Sequence, residues 1–236
     1  MTIFTFIPKL EVSKSDLSSS LSFFPLVGLI LGALISALNW AMEDLWEPIV
    51  RGAILCTSLA FMTRGLHLDG LSDVADAIGS RADREAALKI MKDSHIGALG
   101  ALALISLFLL KFVSLASLSK YMAWQYLMIA PTLSRWSLNC LSALSTYARE
   151  KEGLGSPFCG KRARPALIIS SLTALCASWF LLELTGLYLL IFVLILALFS
   201  AYFFKKHFGG ITGDCLGAHL ELVETAVFMI GAALCR

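Results

Sequence analysis

Apolar residues run through this chain in blocks of about membrane length, separated by short polar segments. A bilayer core about 30 Å thick takes about 20 apolar residues as helix. Six blocks meet that length: roughly Leu21 to Met42, Ile96 to Leu118, Met122 to Leu144, Pro165 to Leu182, Leu187 to Phe204 and Leu216 to Leu234. A seventh, Leu45 to Leu66, is the weakest, because Arg51 and Arg64 bracket it and it crosses only if both side chains snorkel. Lys111 interrupts the second of the six. The pattern predicts an all-α, polytopic membrane helical bundle of about seven transmembrane helices, with an amphipathic helix on the cytoplasmic side, in a single integral membrane domain over 1–236.

The connections alternate in charge. Lys9 and Lys14 precede the first block, and Arg81, Arg84, Lys89 and Lys92 follow the Leu45 to Leu66 segment. Arg149, Lys151, Lys161, Arg162 and Arg164 fill the long later loop, and Lys205 and Lys206 start the last one. The connection with Glu43, Asp44 and Glu47 has no basic residue before Arg51, nor has the turn from Glu183 to Gly186. Cytoplasmic loops collect Lys and Arg, so the N-terminus and the basic loops are expected inside.

Composition narrows the class. Of 236 residues 58% are hydrophobic and 15% charged, against about 25% charged in ordinary soluble domains, so a soluble single-domain enzyme is demoted. The net charge of +2 gives no reason to expect a nucleic-acid partner. Six scattered cysteines form no CxxC pair and read as small apolar side chains. Residues 1–20 lack a secretory signal pattern. The similar fragments at Leu31 and Leu99 are what apolar helices share by composition, not a repeat.

Chemistry concentrates in two acidic segments. In GLHLDGLSDVADA, Asp69, Asp73 and Asp76 fall at i, i+4 and i+7, one stripe of a helix. Like charges there repel, and a divalent cation such as Mg²⁺, which favours oxygen ligands, would relieve them. The competing reading is a solvated amphipathic helix with Leu71, Val74, Ala75 and Ile78 on its apolar face. His67 is either a base or ligand, or a hydrogen-bonded structural residue. The second segment, KKHFGGITGDCLGAHLELVE, has Gly209, Gly210 and Gly213 in a turn whose N–H groups could approach phosphate oxygens. Asp214, Glu221 and Glu224 then share a helical face entering an apolar span, where carboxylates are either functional or paired, for instance with Arg135. The basic residues between these segments suit phosphate binding or simply set topology.

Five motifs in order resemble one family across nearly the whole chain: FFPLVGLILG at 23–32, GLHLDGLSDVADA at 65–77, IMKDSHIGALG at 90–100, YAREKEGLGSPFCGK at 147–161 and GGITGDCLGAHLELVE at 209–224. They resemble the adenosylcobinamide-GDP ribazoletransferases, or cobalamin 5′-phosphate synthases. The resemblance implies a Mg²⁺-dependent enzyme of the bacterial inner membrane, with the active site cytoplasmic. Such an enzyme joins adenosylcobinamide-GDP to α-ribazole or its 5′-phosphate and releases GMP. It also implies roles. Asp69, Asp73 and Asp76 would hold Mg²⁺, with Asp214 and Glu221 as further metal candidates. Asp73, Asp214 and His67 would be the catalytic candidates, the choice of base staying open. Lys92, Arg149, Lys161, Gly209, Gly210 and Gly213 would contact phosphates. A homo-oligomer is allowed for. His95 stands where the family pattern leads us to expect Arg, and Arg64 where we expect Gly. Two other classes compete: a Mg²⁺-dependent membrane transferase acting on a lipid diphosphate, and a cation-coupled transporter, for which Glu221 and Glu224 are the supporting residues.

Overall fold

The computed structural model describes residues 19–149 and 156–234, and the chain is helical almost throughout. After a short turn at Leu21–Phe23 come α1 (Phe24–Met42), α2 (Pro48–Met62), α3 (Leu66–Gly79), α4 (Arg84–Ile90), α5 (Ala98–Ala116) and α6 (Ala123–Leu144). Two further turns, Ser156–Phe158 and Gly160–Ala163, lead into α7 (Arg164–Phe208) and α8 (Gly213–Leu234). The basic N-terminal residues Lys9 and Lys14, and Lys151 of the loop, lie outside the described residues.

α7 is two helices rather than one. Glu183 leaves helical geometry at φ 49° and ψ −127°. A Cβ on Gly186 would lie 2.0 Å from the Ser178 carbonyl oxygen, whereas residues eight apart on a straight helix are separated by about 12 Å. The chain therefore turns back at Glu183, and residues 164–182 and 184–208 form the two arms of a hairpin, as the two separate apolar blocks predict.

Four segments are long and apolar enough to cross a membrane: Leu21–Met42, Ala98–Ala116, Arg164–Phe208 and Gly213–Leu234. The Leu45 to Leu66 block does not form one membrane-length helix. α2 has only 15 residues, about 22 Å, and meets α3 at 89°. Consecutive positive φ angles at Arg64 (54°) and Gly65 (67°) make that corner. Counted as one broken span, the α2/α3 pair raises the number to five.

The connections separate into two ends. At one, Lys120 Nζ lies 3.5 Å from Glu43 and 3.8 Å from Asp44, tying the α5–α6 connection to the acidic α1–α2 connection. At the other, Arg84 donates to the Phe208 carbonyl oxygen and to that of Ala148, both at 2.9 Å. There residues 146–148 pair with 211: Ala148 N–H donates to Ile211 O and Ile211 N–H to Thr146 O. This second end carries the candidate chemistry.

α6 is the axis of the bundle. It packs against α1, α7 and α8, and every residue of 129–143 is buried. α1 rests on it through two glycines: a Cβ on Gly28 would be 2.3 Å from Pro131 O, and one on Gly32 2.5 Å from Met128 Cα. Small residues four apart allow such direct backbone contact between membrane helices. The irregular Lys111 also finds its reason here. Its ammonium is 2.5 Å from Glu221 and 3.0 Å from Glu224, and Glu224 also pairs with Arg135. All four side chains are buried. Two cations and two anions balance, so none is left uncompensated inside the bundle.

Candidate functional site

The site forms where α3 crosses α8, and glycines set how closely. A Cβ on Gly70 would lie 2.7 Å from the Asp214 carbonyl oxygen, and one on Gly217 3.1 Å from His67 Cα. Both are in the acidic motifs, so the residues that let the helices touch travel with the carboxylates they bring together. α3 buries Leu71, Val74 and Ala77 against its neighbours. It is amphipathic as expected, but its apolar face meets protein, mainly α8 and α5. Because α3 turns at a right angle away from α2, we read it as lying at the membrane edge, outside the spanning segments.

Asp73 is half-buried. Its burial, followed by the charges of Asp69, Asp214 and Asp76, pushes its pKa up to about 7, with Arg149 acting in the opposite direction. Asp214, at the start of α8, receives an N–H of Arg149 at 3.0 Å and the Thr212 hydroxyl at 3.1 Å. Thr212 also accepts from Cys215 N–H, capping α8. Asp76 is engaged differently. Its two oxygens accept the N–H groups of Gly97 and Gly100, each at 2.7 Å, so it caps α5. A Cβ on either glycine would fall within 2.4 Å of that carboxylate, which explains the glycines of the SHIGALG sequence.

Beside these groups lies a half-open cavity of about 320 Å³. Its polar lining includes His67, Asp69, Ser142, Tyr147, Arg149 and Asp214. His67 is buried, which lowers its pKa to about 3 and keeps the ring neutral. Across Arg149 an open groove of about 930 Å³ is lined by Arg84, Lys89 and Lys92, with Asp83 and Glu85. Arg149 borders both spaces.

The structure thus brings together Asp69, Asp73, Asp214, His67 and Arg149, with Lys92 on the adjoining groove. Gly213 also lines the cavity. Gly209 and Gly210 have other employment. Gly209, at φ 74°, ends α7 where a Cβ would strike the Arg84 guanidinium, and a Cβ on Gly210 would strike Thr146 O. The Lys161 side chain lies outside the described residues. Glu221 does not join the Asp cluster. It stands two turns along α8 from Asp214, paired to Lys111. Glu224 is likewise an ion-pair partner, as the Arg135 alternative expects. His95 is exposed, and its hydrogen bond to Asp93 at 2.6 Å raises its pKa, favouring the cationic ring in place of the expected arginine.

Among the described residues no three Asp, Glu, His or Cys side chains stand close enough to share one metal ion. A five-carboxylate shell is therefore not assembled, since Asp76 caps α5 and Glu221 pairs with Lys111. Mg²⁺ needs less: one or two carboxylates, with waters and substrate phosphates completing the octahedron. Asp69 and Asp73, one helical turn apart and beside Asp214, could supply that donor set, with Arg149 acting against their negative charge.

Sequence reasoning missed Ser142 and Arg84. Ser142 sits in an apolar block where a hydroxyl attracts no notice. Arg84 reads as one more inside charge, although it fastens two connections that are distant in sequence.

Fold and site together define a polytopic membrane protein with an acid and arginine centre at one end, suited to handling phosphate groups. The family model for Cobalamin-5-phosphate synthase matches residues 1–232. The chain is 37% identical to the adenosylcobinamide-GDP ribazoletransferase of Chlorobaculum tepidum, over 91% of this chain and 86% of that one. With that of Geotalea daltonii it shares 35% over 94% and 89%, and with that of Desulforamulus reducens 35% over 98% and 92%. No solved structure matches it. The chain belongs to the cobalamin-5-phosphate synthase family.

Proposed function

We propose that the chain is a membrane-embedded adenosylcobinamide-GDP ribazoletransferase. It transfers the cobinamide phosphate of adenosylcobinamide-GDP to a ribose hydroxyl of α-ribazole or its 5′-phosphate. The products are adenosylcobalamin or its 5′-phosphate, and GMP. The observation that carries the residue roles is the convergence of two family motifs, one bringing Asp69 and the other Asp214, on one cavity that Arg149 also lines, with Asp73 one helical turn from Asp69.

The ribose oxygen attacks the phosphorus that carries the cobinamide. The bond from that phosphorus to the oxygen bridging to GMP breaks, and GMP leaves with that oxygen. Asp214, held by Arg149 and Thr212 at the cavity, is placed to take the hydroxyl proton. Arg149, and Lys92 from the groove, balance the charge gathering on the phosphate oxygens. Asp69 and Asp73 would hold Mg²⁺, which when bound supplies further neutralisation of the diphosphate and of the leaving GMP. His67 stays neutral at the cavity wall and serves as a hydrogen-bonding group rather than the base.

The distribution of Lys and Arg supports a topology of seven crossings: α1, α5, α6, the two arms of α7, α8, and α2 as a crossing shorter than the bilayer core. The same distribution supports a cytoplasmic site end, in a protein of the bacterial inner membrane. The test is GMP release by detergent-purified protein given adenosylcobinamide-GDP, α-ribazole 5′-phosphate and Mg²⁺. Release that requires the nucleoside, stops with EDTA and falls at least about a hundredfold in Asp73→Ala is expected. Folded protein that releases no GMP overturns the activity, and undiminished release by Asp73→Ala overturns the metal role.

A further inference from the structure

The cavity beside Asp214 is polar on one side and apolar on the other. Leu21, Phe24, Leu66, Leu138, Phe158 and Leu216 form the apolar part of its wall. Set into that wall are two polar side chains with nothing to bond. His67 is 7% exposed and its Nδ1 has no partner, and Ser142 is fully buried with its hydroxyl oxygen unpartnered. A buried polar atom left without a partner is destabilising. Two of them in the lining of one apolar cavity point to a ligand that is mostly hydrophobic and carries hydrogen-bonding capacity on one edge.

We infer that this cavity binds the aromatic base of the nucleoside acceptor, with His67 and Ser142 meeting the edge of the ring. The inference rests on the ribazoletransferase reading and assigns its two substrates to two places. A benzimidazole is flat and apolar, with one unsubstituted ring nitrogen that accepts a hydrogen bond. The Ser142 hydroxyl, or an Nδ1 proton of His67, donates to it. About 320 Å³ holds a base and part of its sugar, while a corrinoid with its amide arms is far too large to enter. The donor's phosphates belong across Arg149, in the open groove with Lys89 and Lys92. Asp214 sits on the cavity side of that divide, where the acceptor hydroxyl must come.

Leu138→Phe, which narrows the cavity from α6, tests this on full-length protein in detergent. GMP release is measured with the nucleosides of benzimidazole and of 5,6-dimethylbenzimidazole. The variant is expected to lose about tenfold or more in kcat/KM for the dimethylated nucleoside relative to the unmethylated one, as a misfit of one or two methyl groups costs. KM for adenosylcobinamide-GDP stays within about twofold of wild type, since substitutions away from a contact leave its binding nearly unchanged. Misfolding would lower both nucleosides alike and would not change preference. Free benzimidazole on the wild-type enzyme gives a second reading that needs no variant: it competes with the nucleoside and not with the donor. A raised donor KM in Leu138→Phe with unchanged acceptor preference, or benzimidazole competing with the donor, overturns the inference while the enzyme still releases GMP. Wild-type protein that releases none overturns the underlying reading instead.

Discussion

Asp73 carries the electrostatic tension of the site in one side chain. Its pKa is raised from the ordinary 3.8 to about 7, by burial first and then by three neighbouring carboxylates. A raised acid is bound more tightly to its proton in the folded state. The stability this group contributes is therefore present below about pH 4 and is lost as pH rises through about 7. A divalent cation at Asp69 and Asp73, as proposed, would reverse the penalty only where Asp73 is ionised. Mg²⁺ is thus expected to raise the melting temperature more at pH 8 than at pH 5.5, and Asp73→Asn to remove most of the difference. Equal Mg²⁺ shifts at the two pH values, measured by thermal unfolding in detergent, would contradict this. Residue-level reading from sequence was partly sufficient. The spacing of Asp69, Asp73 and Asp76 placed them on one face, as α3 has them. It could not show that Asp76 is spent on Gly97 and Gly100, because that depends on where another helix begins. Nor could it show which cation answers which anion: Lys111 and Glu221 are far apart in sequence and meet only through packing.

At the scale of elements, glycine decides the geometry. The α3 and α8 backbones meet at Gly70 with room for hydrogen alone, whereas Gly217 leaves its nearest neighbours at 3.1 Å. Gly70→Ala is therefore expected to separate the carboxylates of the two helices and reduce kcat/KM for GMP release about tenfold to a hundredfold, since a displacement near 1 Å is that costly. Gly217→Ala should cost clearly less, and a reversed order would mean that the crossing does not set the site. The elements themselves were legible where an apolar block coincides with a helix, as for α1, α5 and α8. The α2/α3 corner was not. Its cause is a pair of positive φ angles at Arg64 and Gly65, and the hint in the sequence, the glycine that the family pattern leads us to expect at 64, is hidden by the arginine. The glycine turn at 209–213 looked like a phosphate cradle, but Gly209 and Gly210 serve close packing against Arg84 and residue 146.

Seen whole, the molecule keeps its two ends chemically distinct. Lys120, Glu43 and Asp44 gather at one end, and Arg84, Arg149, Lys89 and Lys92 at the other. Cysteine placed at Lys120 is expected to react with a membrane-impermeant thiol reagent on intact spheroplasts, and cysteine at Lys92 only after permeabilisation. Labelling of both from outside would refute the opposition of the two ends across a membrane. The alternation of acidic and basic connections along the chain made this separation readable from the sequence. The cavity between α1, α3, α6 and α8 was unreadable, since its wall is drawn from Leu21 to Gly217 and from residues that resemble ordinary span positions.

The burial of α6 bears on how the protein is made. A helix that keeps Arg135 and a row of serines inside, with protein on every side from 129 to 143, has little of its own to offer a lipid. Its apolarity falls short of the helices around it, and its place depends on the glycine face of α1 before it and on Glu224 after it. Glu224 is synthesised about 90 residues later. During synthesis, then, α6 is a guest awaiting its hosts: Arg135 has no counter-charge until the last helix arrives, and biogenesis of the bundle is completed from the C-terminal end.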